Sequence, residues 1–150
     1  MKKSFTLRSL SLIPVAALLL SLFSFSARPG GEGFEVFQND KLILQQFGND
    51  MKKIRTIQLG NISSSDEITV KYYHCGQTGK NRHLIIRDSD NKELKHWQFA
   101  DMSSKDRGMS FHPADVLISK GKKAAATVNV YYTSTEIPQG RHLMTLQLNS

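Results

Sequence analysis

Ala124-Ala125-Ala126-Thr127-Val128-Asn129-Val130-Tyr131-Tyr132-Thr133 decides the fold class. Ala124, Ala126, Val128, Val130 and Tyr132 fall on one side of an extended chain, and Ala125, Thr127, Asn129, Tyr131 and Thr133 on the other. Period two is the signature of a strand with one buried and one wet face. Ile68, Val70 and Tyr72 alternate in the same way with Thr69, Lys71 and Tyr73, and Met144, Leu146 and Leu148 repeat the pattern.

Working outward, strands are expected over 34–37, 41–46, 54–59, 67–74, 82–87, 93–99, 124–133 and 141–148. Turn residues punctuate them: Asn39-Asp40, Gly48-Asn49-Asp50, Gly60-Asn61 and Asp88-Ser89-Asp90-Asn91. Short strands at this spacing indicate an all-β, antiparallel sandwich of seven to eight strands, Ig-like or jelly-roll in type, in place of βαβ units. One short helix fits near 113–120. Pro113 suits a first helical position, Asp115 a first turn and Gly121 the residue past the end.

The hairpin over 82–99 has a definite expected register. A type I turn closed by Asn91 in the left-handed region sets Arg87 opposite Glu93 and Ile86 opposite Leu94. A shifted register would set His83 opposite His96.

The N-terminus reads as a secretory signal peptide over 1–26. Lys2, Lys3 and Arg8 form the positive region, residues 10–25 the apolar one, and Ser24 and Ser26 the small positions before cleavage between Ser26 and Ala27. The stretch is shorter than the roughly 20 residues of a spanning helix. A Gly- and Pro-rich lead-in over 27–33 then opens a single sandwich domain over 34–150. Export to the periplasm or beyond is expected. A lipoprotein anchor is not, because no cysteine stands at the cleavage point.

Removing the three leader cations from the formal net charge of +7 leaves +4. That is a soluble surface with a few extra lysines, and nucleic acid is not an expected partner. The one cysteine, Cys75, rules out an intramolecular disulfide scaffold; parity sets it on the side of Lys71 and Tyr73, away from Ile68 and Val70, but free cysteines are usually buried, and burial is expected.

No catalytic, cofactor or metal motif is present. His74, His83, His96, His112 and His142 show no HxH or HExxH spacing. A His83–His96 zinc or copper pair would need the shifted register and lacks an obvious third ligand. His74-Cys75 lacks the downstream ligands of a blue-copper site, and neighbours in a strand point to opposite faces, which opposes a Cys–His nucleophile pair. No catalytic, cofactor or metal residue is therefore assigned. Tyr73, Tyr131 and Lys71, on the polar sides of their strands, are the candidate ligand-facing residues.

The runs Arg28-Pro29-Gly30-Gly31-Glu32-Gly33-Phe34, Lys71-Tyr72-Tyr73-His74-Cys75-Gly76 and Leu84-Ile85-Ile86-Arg87-Asp88 resemble those of small exported β-sandwich proteins of Gram-negative bacteria. The resemblance spans the mature chain and implies export; it brings no catalytic motif with it. Three functions fit: a non-enzymatic module binding an envelope protein or glycan, a small hydrolase with a site built from distant loops, and a structural subunit pairing through its edge strands.

Overall fold

The structure is a computed structural model describing residues 31–102, 108–119 and 125–149. The stretch read as a signal peptide, its expected cleavage point between Ser26 and Ala27, and most of the expected lead-in lie outside the described residues. So do Lys120, Gly121, Lys122 and Lys123.

Among the described residues, nine strands form two sheets. They are β1 (Gly33–Gln38), β2 (Lys41–Phe47), β3 (Arg55–Asn61), β4 (Ile68–Tyr73), β5 (Arg82–Asp88), β6 (Glu93–Phe99), β7 (Met109–Phe111), β8 (Ala125–Ser134) and β9 (Ile137–Asn149). One sheet runs β2-β1-β4-β7 and the other β3-β9-β8-β5-β6. The all-β sandwich expected from the alternation is what the chain adopts. A 3-10 turn (Gly48–Lys52) follows β2, and helix α1 (Pro113–Ser119) follows β7, over the residues that Pro113 and Asp115 marked.

The core lies between the sheets. Phe34, Val36, Ile68, Val70 and Tyr72 from one sheet meet Leu84, Ile86, Val128, Val130, Tyr132, Leu146 and Leu148 from the other. Fully burying each such side chain contributes roughly 1.5–3 kcal/mol relative to exposure. Two aromatic stacks cross the gap: Tyr72 on Tyr132, with ring centroids 4.2 Å apart, and Trp97 on Phe111, at 5.2 Å. Val116 and Leu117 of α1 and Met51 of the 3-10 turn join the same core.

Four expectations need correction. The sheets are not wholly antiparallel: β3 pairs with β9 in parallel, Thr56 opposite Thr145. Short period-two segments fix which side chains share a face but not strand direction. The strands number nine, because the three-residue β7 carries too little sequence to show a period. Strand β9 begins at Ile137, not Arg141. The strand runs through Pro138 and Gly140, which an irregularity in the β8–β9 pairing between Tyr132 and Ser134 accommodates, with Gly140 at φ 75°.

The fourth correction is the β5–β6 register. Arg87 does face Glu93, and Asn91 does take a positive φ of 62°. Asp88 Oδ1 accepts from the Asp90 and Lys92 amides and so sets the turn. A bulge between Ile86 and Arg87 then makes Leu94 the extra residue, and Ile86 faces Lys95.

A candidate binding face

The outward side of the five-stranded sheet carries the most organised set of polar side chains. On β5 the residues Leu84 and Ile86 go inward, so His83, Ile85 and Arg87 go outward. On β8 the inward set is Val128, Val130 and Tyr132, leaving Asn129, Tyr131 and Thr133 outside. Ile85 lies between His96 on β6 and Tyr131 on β8. It is only 8% exposed although it faces away from the core. The polar side chains around it therefore form a continuous cover, and the face is neither bare nor greasy.

Tyr131 is the centre of one half of this face. Its ring stacks on His142 of β9, with centroids 4.6 Å apart and planes 22° apart. The Arg87 guanidinium lies 5.1 Å from the same ring, a cation–π contact that also orients the cation. His142 Nε2 lies 3.1 Å from the Met144 carbonyl. Burial lowers the His142 pKa below the ordinary imidazole value, against the opposing effect of that carbonyl. Beside them Thr145 donates to Asn129 at 2.8 Å.

The other half is a chain of hydrogen bonds over β5 and β6. His83 Nδ1 and His96 Nε2 are 2.9 Å apart. His83 Nε2 reaches Asn81 Oδ1 at 3.1 Å, and Gln98 donates to that same oxygen at 2.9 Å. His96 Nδ1 lies 3.3 Å from Glu93 Oε1. The two rings meet edge to face at 4.9 Å. Burial, and then the neighbouring His96, lower the His83 pKa. The register sets His83 opposite Gln98 and Ile85 opposite His96, so the histidines touch diagonally. The contact therefore forms without the shifted register on which it had been made to depend.

The ligand-facing candidates divide between the two sheets. Tyr131 belongs to the face just described. Lys71 and Tyr73 lie on the outward side of β4, in the other sheet. Tyr73 donates to Glu35 at 2.7 Å and stacks on Phe47 at 5.8 Å, so its hydroxyl is engaged within its own sheet. Lys71 sits over the Phe37 ring at 4.8 Å and helps line a cleft of about 470 Å³ with Asp40, Glu67, Thr69 and Ser110. The cleft mixes one cation with two carboxylates and has no aligned acid–base pair. Arg87, His142, His83 and His96 were not among the candidates. Alternation alone could have placed His83 and Arg87 on the same side of β5, flanking Ile85; the bulge concealed the β6 partner of His83, and the Tyr131 partner of Arg87 lies on β8, distant in sequence.

A second cluster of polar and aromatic groups is internal. Tyr72 donates to Glu32, which also takes Arg141 Nη2 at 3.1 Å on each carboxylate oxygen. His74 Nε2 lies 2.8 Å from the Tyr132 hydroxyl. Burial first, then the bond to Glu32, push the Tyr72 phenol above its ordinary pKa, which keeps it protonated as a donor to Glu32. Burial likewise lowers the His74 pKa, with Glu136 and Glu32 opposing.

Cys75 is exposed, contrary to the expectation of burial. Strand β4 ends at Tyr73; His74 and Gln77 close a turn in which Gly76 takes φ 71°. The chain reverses there with the thiol outward, on the side to which parity with Lys71 and Tyr73 also assigns it, so the general preference of free cysteines for burial does not decide this position. His74 goes inward and Cys75 outward, so the adjacent pair is split between core and solvent.

Among the described residues no three His, Cys, Asp or Glu side chains converge as a metal cluster, and no helix is long and apolar enough to cross a membrane. No protein-family model matches the chain, and no curated protein matches it in sequence.

Proposed function

We propose that the protein is an exported, non-enzymatic binding module that engages an envelope partner, glycan or protein, through the outward face of its five-stranded sheet. The observation that carries this reading is Tyr131, held on a solvent-facing strand between the His142 ring and the Arg87 guanidinium. An aromatic ring fixed on both faces offers its edge and hydroxyl to a partner and loses little conformational entropy on binding. The adjacent guanidinium offers paired donors to a carboxylate or sulfate. The leader read over 1–26 supplies the route to such a partner.

The test is a binding panel of immobilised acidic and neutral polysaccharides and envelope-fraction proteins, comparing wild type with Tyr131→Ala, Arg87→Ala and Lys71→Ala. Tyr131→Ala and Arg87→Ala should each weaken retention about tenfold, the usual effect of removing a central contact, while Lys71→Ala leaves it unchanged. Loss in Lys71→Ala with full retention in the other two would move the site to the cleft on the opposite sheet. Turnover of a polysaccharide in the panel would replace the reading with a hydrolase.

A further inference from the structure

We propose that His83 and His96 form a two-imidazole seat for a divalent d-block ion, Cu²⁺ foremost, on the outward face of β5 and β6. The argument starts from the far nitrogens. His83 Nε2 is engaged by Asn81 Oδ1 and His96 Nδ1 by Glu93 Oε1. Both partners are acceptors, so each ring can place an N–H on its outer side. The inner nitrogens, His83 Nδ1 and His96 Nε2, are 2.9 Å apart and share one proton in a hydrogen bond. An ion that takes the place of that proton, to one side of the line between the nitrogens, would be held by both rings, with one proton released.

This is the arrangement that orients metal-binding histidines, in which the nitrogen away from the metal donates to a carboxylate or carbonyl oxygen. Glu93 plays that part for His96. Asn81 plays it for His83 and is itself held by Gln98. The separation also selects among ions. Two metal–nitrogen bonds of about 2.0–2.1 Å span about 2.9 Å at a right angle and about 3.3 Å at the tetrahedral angle. The observed 2.9 Å fits adjacent positions of a tetragonal ion, and imidazole affinity peaks at Cu²⁺. Water completes the coordination, since no third His, Cys, Asp or Glu among the described residues joins the pair. The seat is thus an open surface site and not a closed structural one. It stands independently of any ligand bound at Tyr131.

Electron paramagnetic resonance and equilibrium dialysis of the processed protein with CuCl₂ test this, in a Cys75→Ser background that removes the exposed thiol. One bound Cu²⁺ with two nitrogen ligands is expected. His83→Ala and His96→Ala should each weaken binding at least tenfold and remove the two-nitrogen signature. Glu93→Gln, which leaves both ligands in place, should weaken it about tenfold, and His112→Ala should leave it unchanged. Circular dichroism of each variant confirms an intact sandwich. Absence of a two-nitrogen signal in the parent protein, or its persistence in the folded His83→Ala,His96→Ala double variant, would overturn the assignment. Because no partner is needed, the result is separable from that of the binding panel.

Discussion

Tyr131 and Tyr132 are neighbours in the chain and do opposite work. Their partners across the β8–β9 hairpin, His142 and Arg141, are neighbours too. Tyr132 is fully buried, stacked on Tyr72 and bonded to His74, while Arg141 grips the Glu32 carboxylate that Tyr72 also contacts. Tyr131 and His142 stack on the outside beneath Arg87. The same residue types, one position apart, become a polar lock at the sheet interface in one case and an open face in the other. Burial makes the difference. Inside, the hydroxyls and charges are taken up by protein partners, the buried Arg141 Nε excepted, which consumes most of their capacity for other chemistry. Outside, water can take that role and then be displaced by a ligand.

The largest test of this contrast compares truncation of the two tyrosines. Tyr132→Ala should cost about 3–5 kcal/mol, the range for emptying a buried aromatic site. Tyr131→Ala should cost under about 1 kcal/mol, as for a partly exposed position. Urea unfolding of the two variants reads the gap; equal losses would mean the outer stack is as structural as the inner one.

A middle-sized effect is expected at Glu32. Glu32→Gln removes the charge that Arg141 and Tyr72 share, and should cost about 1–2 kcal/mol. That lies toward the low end for hydrogen bonds to a charged group, because a third of both side chains meets solvent. Arg87→Ala on the outer face should change the same unfolding midpoint far less. If the ranking reverses, the lock is not what joins the lead-in at Glu32 to the two sheets.

The smallest effect sharpens the contrast through pH. Burial lowers the folded-state pKa of His74 below the ordinary 6.5. Below that value the unfolded chain binds a proton that the folded chain resists. The stabilisation is therefore complete above about pH 6.5 and is lost as pH falls through the folded pKa. His83 and His142 are shifted in the same direction and add to the slope. Thermal unfolding between pH 7.5 and 5 should show a falling midpoint, and His74→Gln should flatten part of that fall. An unchanged slope in His74→Gln would assign the whole of it to the outer histidines.

Much of the fold was legible because alternation is a local property. The inward sets of β4, β8 and β9, the Asn39-Asp40 turn with φ 49° and 65°, and helix α1 all follow from residues close in sequence. Less of the site was. Tyr131 was placed on the wet side of its strand from parity alone. Its flanking Arg87 and His142 come from two other strands, and the bulge after Ile86 shifts the pairing that would have located His96. Burial was expected for Cys75 from the general preference of free cysteines, and it fails because β4 stops at Tyr73 and the following turn carries the thiol to solvent.

By itself, the order of residues determined which side chains of each strand share a face, since successive side chains of an extended backbone point in opposite directions. Strand direction, the bulge, and the meeting of Tyr72 with Tyr132 and of His83 with His96 were decided only by the folded chain. Those contacts join residues from 13 to 60 positions apart. Their geometry depends on how two sheets stack and where one residue is squeezed out of a ladder, and no local pattern records either.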